Sequence, residues 1–122
     1  MTDLLCTAST ILAALLVAAF ALLGSAKLAA VPAMRTRAEH VDFSVEAYRR
    51  IGALELLGVV GLLVGAAFPT VGVLAGLGLL LLLGGAIVTH LRNGDGPKEI
   101  APAVVLGVVT VGYLALMVGN LS

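Results

Sequence analysis

Lys27, Glu55 and His90 are the ionisable side chains that the sequence sets inside long apolar runs. A base, an acid and an imidazole in such places suit three kinds of chemistry: locking helices through a buried ion pair, binding a polar head or exchanging a proton with it, and ligating a metal. The metal reading needs more donors than one glutamate and one histidine, and the chain has no HExxH motif and a single cysteine, Cys6. No metal site is therefore expected. Nor is a catalytic residue assigned, since no Walker loop, GxGxxG turn or GxSxG elbow is present. Locking and ligand binding both stay open.

The runs that must position these residues dominate the composition. Of 122 residues 61% are hydrophobic and only 11% charged, and the mean hydropathy of +1.16 lies far outside the range of soluble domains. The lipid bilayer is the expected surroundings. Four stretches approach the roughly 20 apolar residues that span about 30 Å of hydrocarbon: residues 4–30, 51–68, 71–91 and 101–121. Backbone polar groups in lipid must be satisfied within their own segment, so these runs predict helices. The expected fold is all-α, a polytopic membrane protein with an up-down bundle of four transmembrane helices in a single domain, 1–122. The start, MTDLLCTAST, has an acid and no base, so the basic n-region of a cleaved signal is missing and the first helix is expected to be retained.

All seven basic residues, Lys27, Arg35, Arg37, Arg49, Arg50, Arg92 and Lys98, lie in or beside connections 31–50 and 92–100. The positive-inside rule makes those two loops cytoplasmic, which predicts a multi-pass cell-membrane protein with both termini extracytoplasmic. In the first loop Ser44, followed by Glu46 and Ala47, resembles a capped helix start, while His40 and Asp42 read as solvated surface. The basic residues are interspersed with Glu39, Asp42 and Glu46, and their number is what orientation alone requires, so nucleic-acid binding is not expected.

With that topology, Lys27, Glu55 and His90 each fall within roughly one or two helical turns of the cytoplasmic boundary. A charge at mid-span costs about 2.5 to 3.5 kcal/mol on insertion scales, which favours pairing Lys27 with Glu55 and setting His90 beside them. Glu55 is then expected to lock the inner ends of the first three spans. Gly61 and Gly65, and Gly72 and Gly76, have the four-residue spacing of close helix packing, within this bundle or against a homo-oligomer or partner subunit. Tyr113, inside the fourth span, needs a hydrogen-bond partner, ordinarily on a neighbouring helix.

Four segments carry a resemblance: GSAKL at 24–28, DFS at 42–44, IGALELLGVVGLLVG at 51–65 and GGAIVTHLRNGD at 84–95. In this order and spacing they resemble the DoxX-like family of small four-helix membrane proteins, over most of the chain. The resemblance implies that Lys27, Glu55, His90 and the surrounding glycines are the family's characteristic positions. The loop departs from the family in lacking a tryptophan before DFS. In function, the resemblance implies an accessory membrane subunit of a quinone-linked redox system, with no redox centre of its own and with quinone left open as a cofactor. A binder or transporter of a small amphiphile, such as a quinone or lipid, and an assembly chaperone are the alternatives.

Overall fold

The structure, a computed structural model, describes residues 3–121. Among the described residues there are five helices, one more than the four expected spans: α1 (Asp3–Leu28), α2 (Pro32–His40), α3 (Val45–Val64), α4 (Pro69–Arg92) and α5 (Pro97–Leu121). The additional one, α2, occupies the polar connection. Pro32 opens it at the position where a missing N–H costs nothing, and the segment Met34 to His40 has no glycine or proline to break it. The hydroxyl of Ser44 accepts the Ala47 N–H at 3.0 Å and starts α3, so that helix begins several residues before the apolar run 51–68 and ends before it, at Val64.

Among the described residues, α1, α4 and α5 are long and apolar enough to cross a membrane. Helix α3 is 20 residues long, but Arg49, Arg50 and Glu55 interrupt it.

The four long helices pack in a ring: α1 on α3, α3 on α4, α4 on α5, and α5 back on α1. Helices α1 and α4 are consequently diagonal, their backbones apart among the described residues. Leu16, Phe20, Leu62, Leu79, Tyr113 and Met117 fill the centre. The outward faces are equally apolar, with Leu22, Leu57, Leu81 and Val108 exposed. Such a surface suits hydrocarbon, not water.

Glycine sets the closest crossings. A Cβ on Gly65 would lie 2.5 Å from the Gly72 Cα, so α3 and α4 touch backbone to backbone just beyond their short connection. Gly61 faces Ala75 across the same seam, and Gly76 takes the side chain of Leu114 from α5. These four glycines pack within the chain's own bundle.

Candidate functional site

The polar site grows from a second glycine crossing. Gly24 on α1 and Gly52 on α3 are stacked so closely that a Cβ on Gly52 would lie 2.7 Å from both the Gly24 carbonyl oxygen and the Lys27 Cβ. Lys27 and Glu55 each follow their glycine by three residues, and residues three apart share a helix face. The backbone contact therefore brings the two side chains together: Lys27 Nζ donates to Glu55 Oε1 at 2.5 Å. Glu55 is 2% exposed, while the side chain of its partner Lys27 keeps partial access to the surface.

Tyr48 closes the pair from above. It precedes Gly52 by four residues and Glu55 by seven, on the same face of α3, and its ring centroid is 5.5 Å from Lys27 Nζ. The face of an aromatic ring is negative, so the ammonium gains a second favourable neighbour that does not compete for its proton. Phe43 stands edge-on to Tyr48, with centroids 6.3 Å apart. Arg49 reaches back to donate to the Leu28 carbonyl at 3.0 Å, satisfying an end group of α1. The start of α3 thus caps α1 both electrostatically and through hydrogen bonds.

His90 joins neither Lys27 nor Glu55 by hydrogen bond or ion pair; the expected group of three divides in two. For Lys27 the reason is topological: His90 is on α4, diagonal to α1. What it meets instead follows from how α4 stops. Gly94 adopts φ +76° and the Asp95 N–H returns to the His90 carbonyl at 2.9 Å, the hydrogen bond of a glycine-terminated helix end. That turn folds Asp95 over the last turn of its own helix. Its carboxylate oxygens then receive two imidazoles, His90 Nδ1 at 2.6 Å and His40 Nε2 at 2.9 Å. Asn93 Nδ2 donates to Asp95 as well, at 3.1 Å.

His40 sits at the end of α2, 55 residues before Asp95 in sequence. It and Asp42 are both exposed, as expected of solvated surface, and are not bonded to each other. Asp42 takes φ +60° to end α2, with the Phe43 N–H bonded to the Ala38 carbonyl, and His40 turns towards the other loop. A carboxylate only accepts, so each ring nitrogen facing it donates. The hydrogen bond from His90 above all, and then those from His40 and Asn93, hold the Asp95 carboxyl below its usual range. Because the two imidazoles approach different oxygens, their own lone pairs do not converge on one point. No group of metal-ligating side chains gathers among the described residues.

Sequence reasoning missed Gly24 as a packing residue, Tyr48, and the partnership of His40 with Asp95. The first two share the helical spacing of Lys27 and Glu55 and were readable from it. The His90 to Asp95 contact was implicit in Asn93-Gly94, a helix stop that sends the next residue backwards. The His40 contact required knowing that the polar connection is a helix.

No curated protein and no solved structure matches the chain. A family model described as the DoxX-like family matches residues 11–118. That span runs from the apolar part of α1 to the last turns of α5 and includes the Lys27–Glu55 pair and the His40–Asp95–His90 group, and on that match the chain belongs to the DoxX-like family.

Proposed function

We propose that this protein is a small accessory subunit that contributes helix surface to a larger membrane complex, crossing the cell membrane four times with both termini outside. Helix α3 serves as the second crossing. It closes the ring between α1 and α4, its acid is turned inward onto Lys27, and its arginines stand at the cytoplasmic boundary. The polar groups are already committed. Glu55 is enclosed and paired, and His90 is held by Asp95, so neither offers a free group to an incoming head. Two hollows of the bundle, one at its terminal end and one outside α4 and α5, include none of Lys27, Glu55 and His90 in their linings. Their arrangement supports locking over ligand binding at that place.

The observation that carries the reading is the outer face of α4 and α5. An apolar groove of about 330 Å³ runs between them, lined by Leu80, Ile87, Val104, Gly107, Val108 and Val111, with no polar side chain. A Cβ on Gly107 would meet nothing, and the same holds for Gly84, which shares a face with Leu80 and Ile87. Small residues turned out of a finished bundle allow another helix backbone to approach closely. The family resemblance makes a quinone-linked redox assembly the first candidate complex.

The test is gentle extraction in mild detergent followed by native mass spectrometry. The wild-type chain should appear with a larger membrane partner, and the double substitution Gly84→Leu with Gly107→Leu should appear alone while keeping its helicity and melting temperature. A wild-type chain that emerges as a free monomer under the mildest extraction refutes the reading.

A further inference from the structure

Tyr113 is 2% exposed, yet its hydroxyl has no hydrogen-bond partner in the protein, and in this it is alone among the buried hydroxyl and charged side chains of the described residues. The others are satisfied by their own helix or a neighbour. Ser9 donates to the Cys6 carbonyl at 3.0 Å, Thr110 to the Leu106 carbonyl at 2.7 Å, and Glu55 takes Lys27. A phenol cannot use the short return bond of serine or threonine, because its oxygen stands too far from its own backbone. Buried tyrosines ordinarily find a partner.

The oxygen is not walled in. It borders a cavity of about 170 Å³ at the terminal end of the bundle, whose lining includes Ser9, Thr10, Leu62, Gly65, Tyr113 and Met117, drawn from α1, α3 and α5. Helix α4 takes part through Gly72, since a Cβ there would strike the Tyr113 hydroxyl. The glycine crossing of α3 and α4 thus provides the room in which the phenol points. The cavity is at the opposite end of the helices from Lys27 and Glu55, and no charged or imidazole side chain lines it.

We propose that this cavity binds a neutral molecule of about one ring in size, whose carbonyl or ether oxygen accepts a hydrogen bond from Tyr113. Size and polarity both select this class. A protein cavity of about 150 Å³ accommodates a benzene-sized ring, whereas the same space filled with water would take about five molecules, each needing two to four polar partners. The lining supplies few: the Ser9 hydrogen is already spent on Cys6, and the Thr10 hydroxyl and Cys6 thiol belong to exposed residues, which leaves the Tyr113 hydrogen as the chief buried donor. One acceptor on an otherwise apolar molecule matches one buried free donor in a largely apolar wall. A charged ligand would enter with nothing to neutralise it. This site is independent of the partner face on α4 and α5.

Two reporters are built in. Cys6, the single cysteine, is exposed and lines the same cavity. The chain has no tryptophan and two tyrosines, so Tyr48→Phe leaves Tyr113 as the only near-ultraviolet chromophore of its class. Cyclohexanone is the probe, and cyclohexane, the same ring without an acceptor, is the control.

In the full-length detergent-solubilised protein, cyclohexanone should saturably shift the tyrosine band of Tyr48→Phe. At about twice its dissociation constant it should slow alkylation of Cys6 about threefold. In Tyr113→Phe, protection should fall to the level given by cyclohexane. Equal protection by the two rings, equal protection in Tyr113→Phe, or a band that does not move with cyclohexanone overturns the proposal in favour of an empty or merely apolar hollow. Should Tyr113→Phe fail to fold, the spectral comparison of the two rings in Tyr48→Phe decides the matter without it.

Discussion

Substituting Lys27 with methionine should cost much more stability than substituting Glu55 with glutamine, although each change removes one charge of the same pair. The difference follows from what remains. Lys27→Met leaves a carboxylate that is 2% exposed, with no other cation within hydrogen-bonding distance. Orphaning a buried ion costs about 3 to 5 kcal/mol. Glu55→Gln leaves an ammonium on a side chain that is 14% exposed, with a stem long enough to reach the boundary. It still has the Tyr48 ring at 5.5 Å and an amide oxygen in the place of Glu55 Oε1. The loss is then the difference between a charge-assisted and a neutral hydrogen bond, about 1 to 2 kcal/mol. The double variant Lys27→Met with Glu55→Gln removes both ions and leaves only a neutral amide in the site. It should be less destabilised than Lys27→Met alone, giving a coupling of about 2 kcal/mol or more. The assay is reversible unfolding of the four proteins in one mild detergent at one pH, with folding monitored by helicity. Additive losses, with a coupling below about 0.5 kcal/mol, would falsify the direct pairing. Equal losses for the two single variants would refute the argument from burial.

Two further expectations concern the loops. The Asp95 carboxyl is held below 3.8, its ordinary value, so the stability it confers is fully present above that pH and is lost as pH falls through the lower value of the folded state. The part of the stability gap between wild type and Asp95→Asn that the carboxyl contributes should therefore be lost on the acid side of 3.8, measured by melting temperature in detergent. Ala30 carries φ +53° where α1 stops, a left-handed backbone that costs a residue with a Cβ about 1 to 2 kcal/mol. Ala30→Gly should raise stability by about 0.5 to 1 kcal/mol once the extra freedom of glycine in the unfolded chain is subtracted, and an unchanged or lower melting temperature in the same assay counts against that strain.

The long helices were legible because hydrocarbon leaves a continuous apolar run no other way to satisfy its backbone. The contact of Lys27 with Glu55 was legible too, as a pair of charges that neither lipid nor distance would tolerate. Less accessible was anything set by ring order. Depth along the membrane can be counted from sequence, and by that count His90 shares a layer with Glu55. Azimuth cannot be counted, and in an α1–α3–α4–α5 ring it separates His90 from α1 by a full diagonal. Helix α2 was obscured for a different reason. Its composition is polar and its length is only nine residues, with Met34 and Ala38 alone buried, so it has no strong periodicity to read; Pro32 and Asp42 mark its ends. Ala30 and Asp42 give no sequence warning of left-handed backbone, whereas Gly94 does.

The two ends of the bundle are held together by unlike means, and the difference bears on where a small molecule could enter. At the loop-rich end the ion pair ties α1 to α3, Arg49 ties α3 to the end of α1, and the Asp95 group ties α2 to the α4–α5 connection. Opening that end would expose charges to hydrocarbon or break several hydrogen bonds at once. At the terminal end α3 and α4 are fastened by their short connection and by the contact of Gly65 with Gly72. The seam between α1 and α5 closes the ring where the first and last helices meet, so no connecting loop spans it, and packing must hold it. Thr10 and Ala13 on one side of that seam and Tyr113 and Met117 on the other border the cavity. The unsatisfied phenol is thus placed beside the one junction of the ring that can part without stretching the backbone or separating a buried charge from its partner.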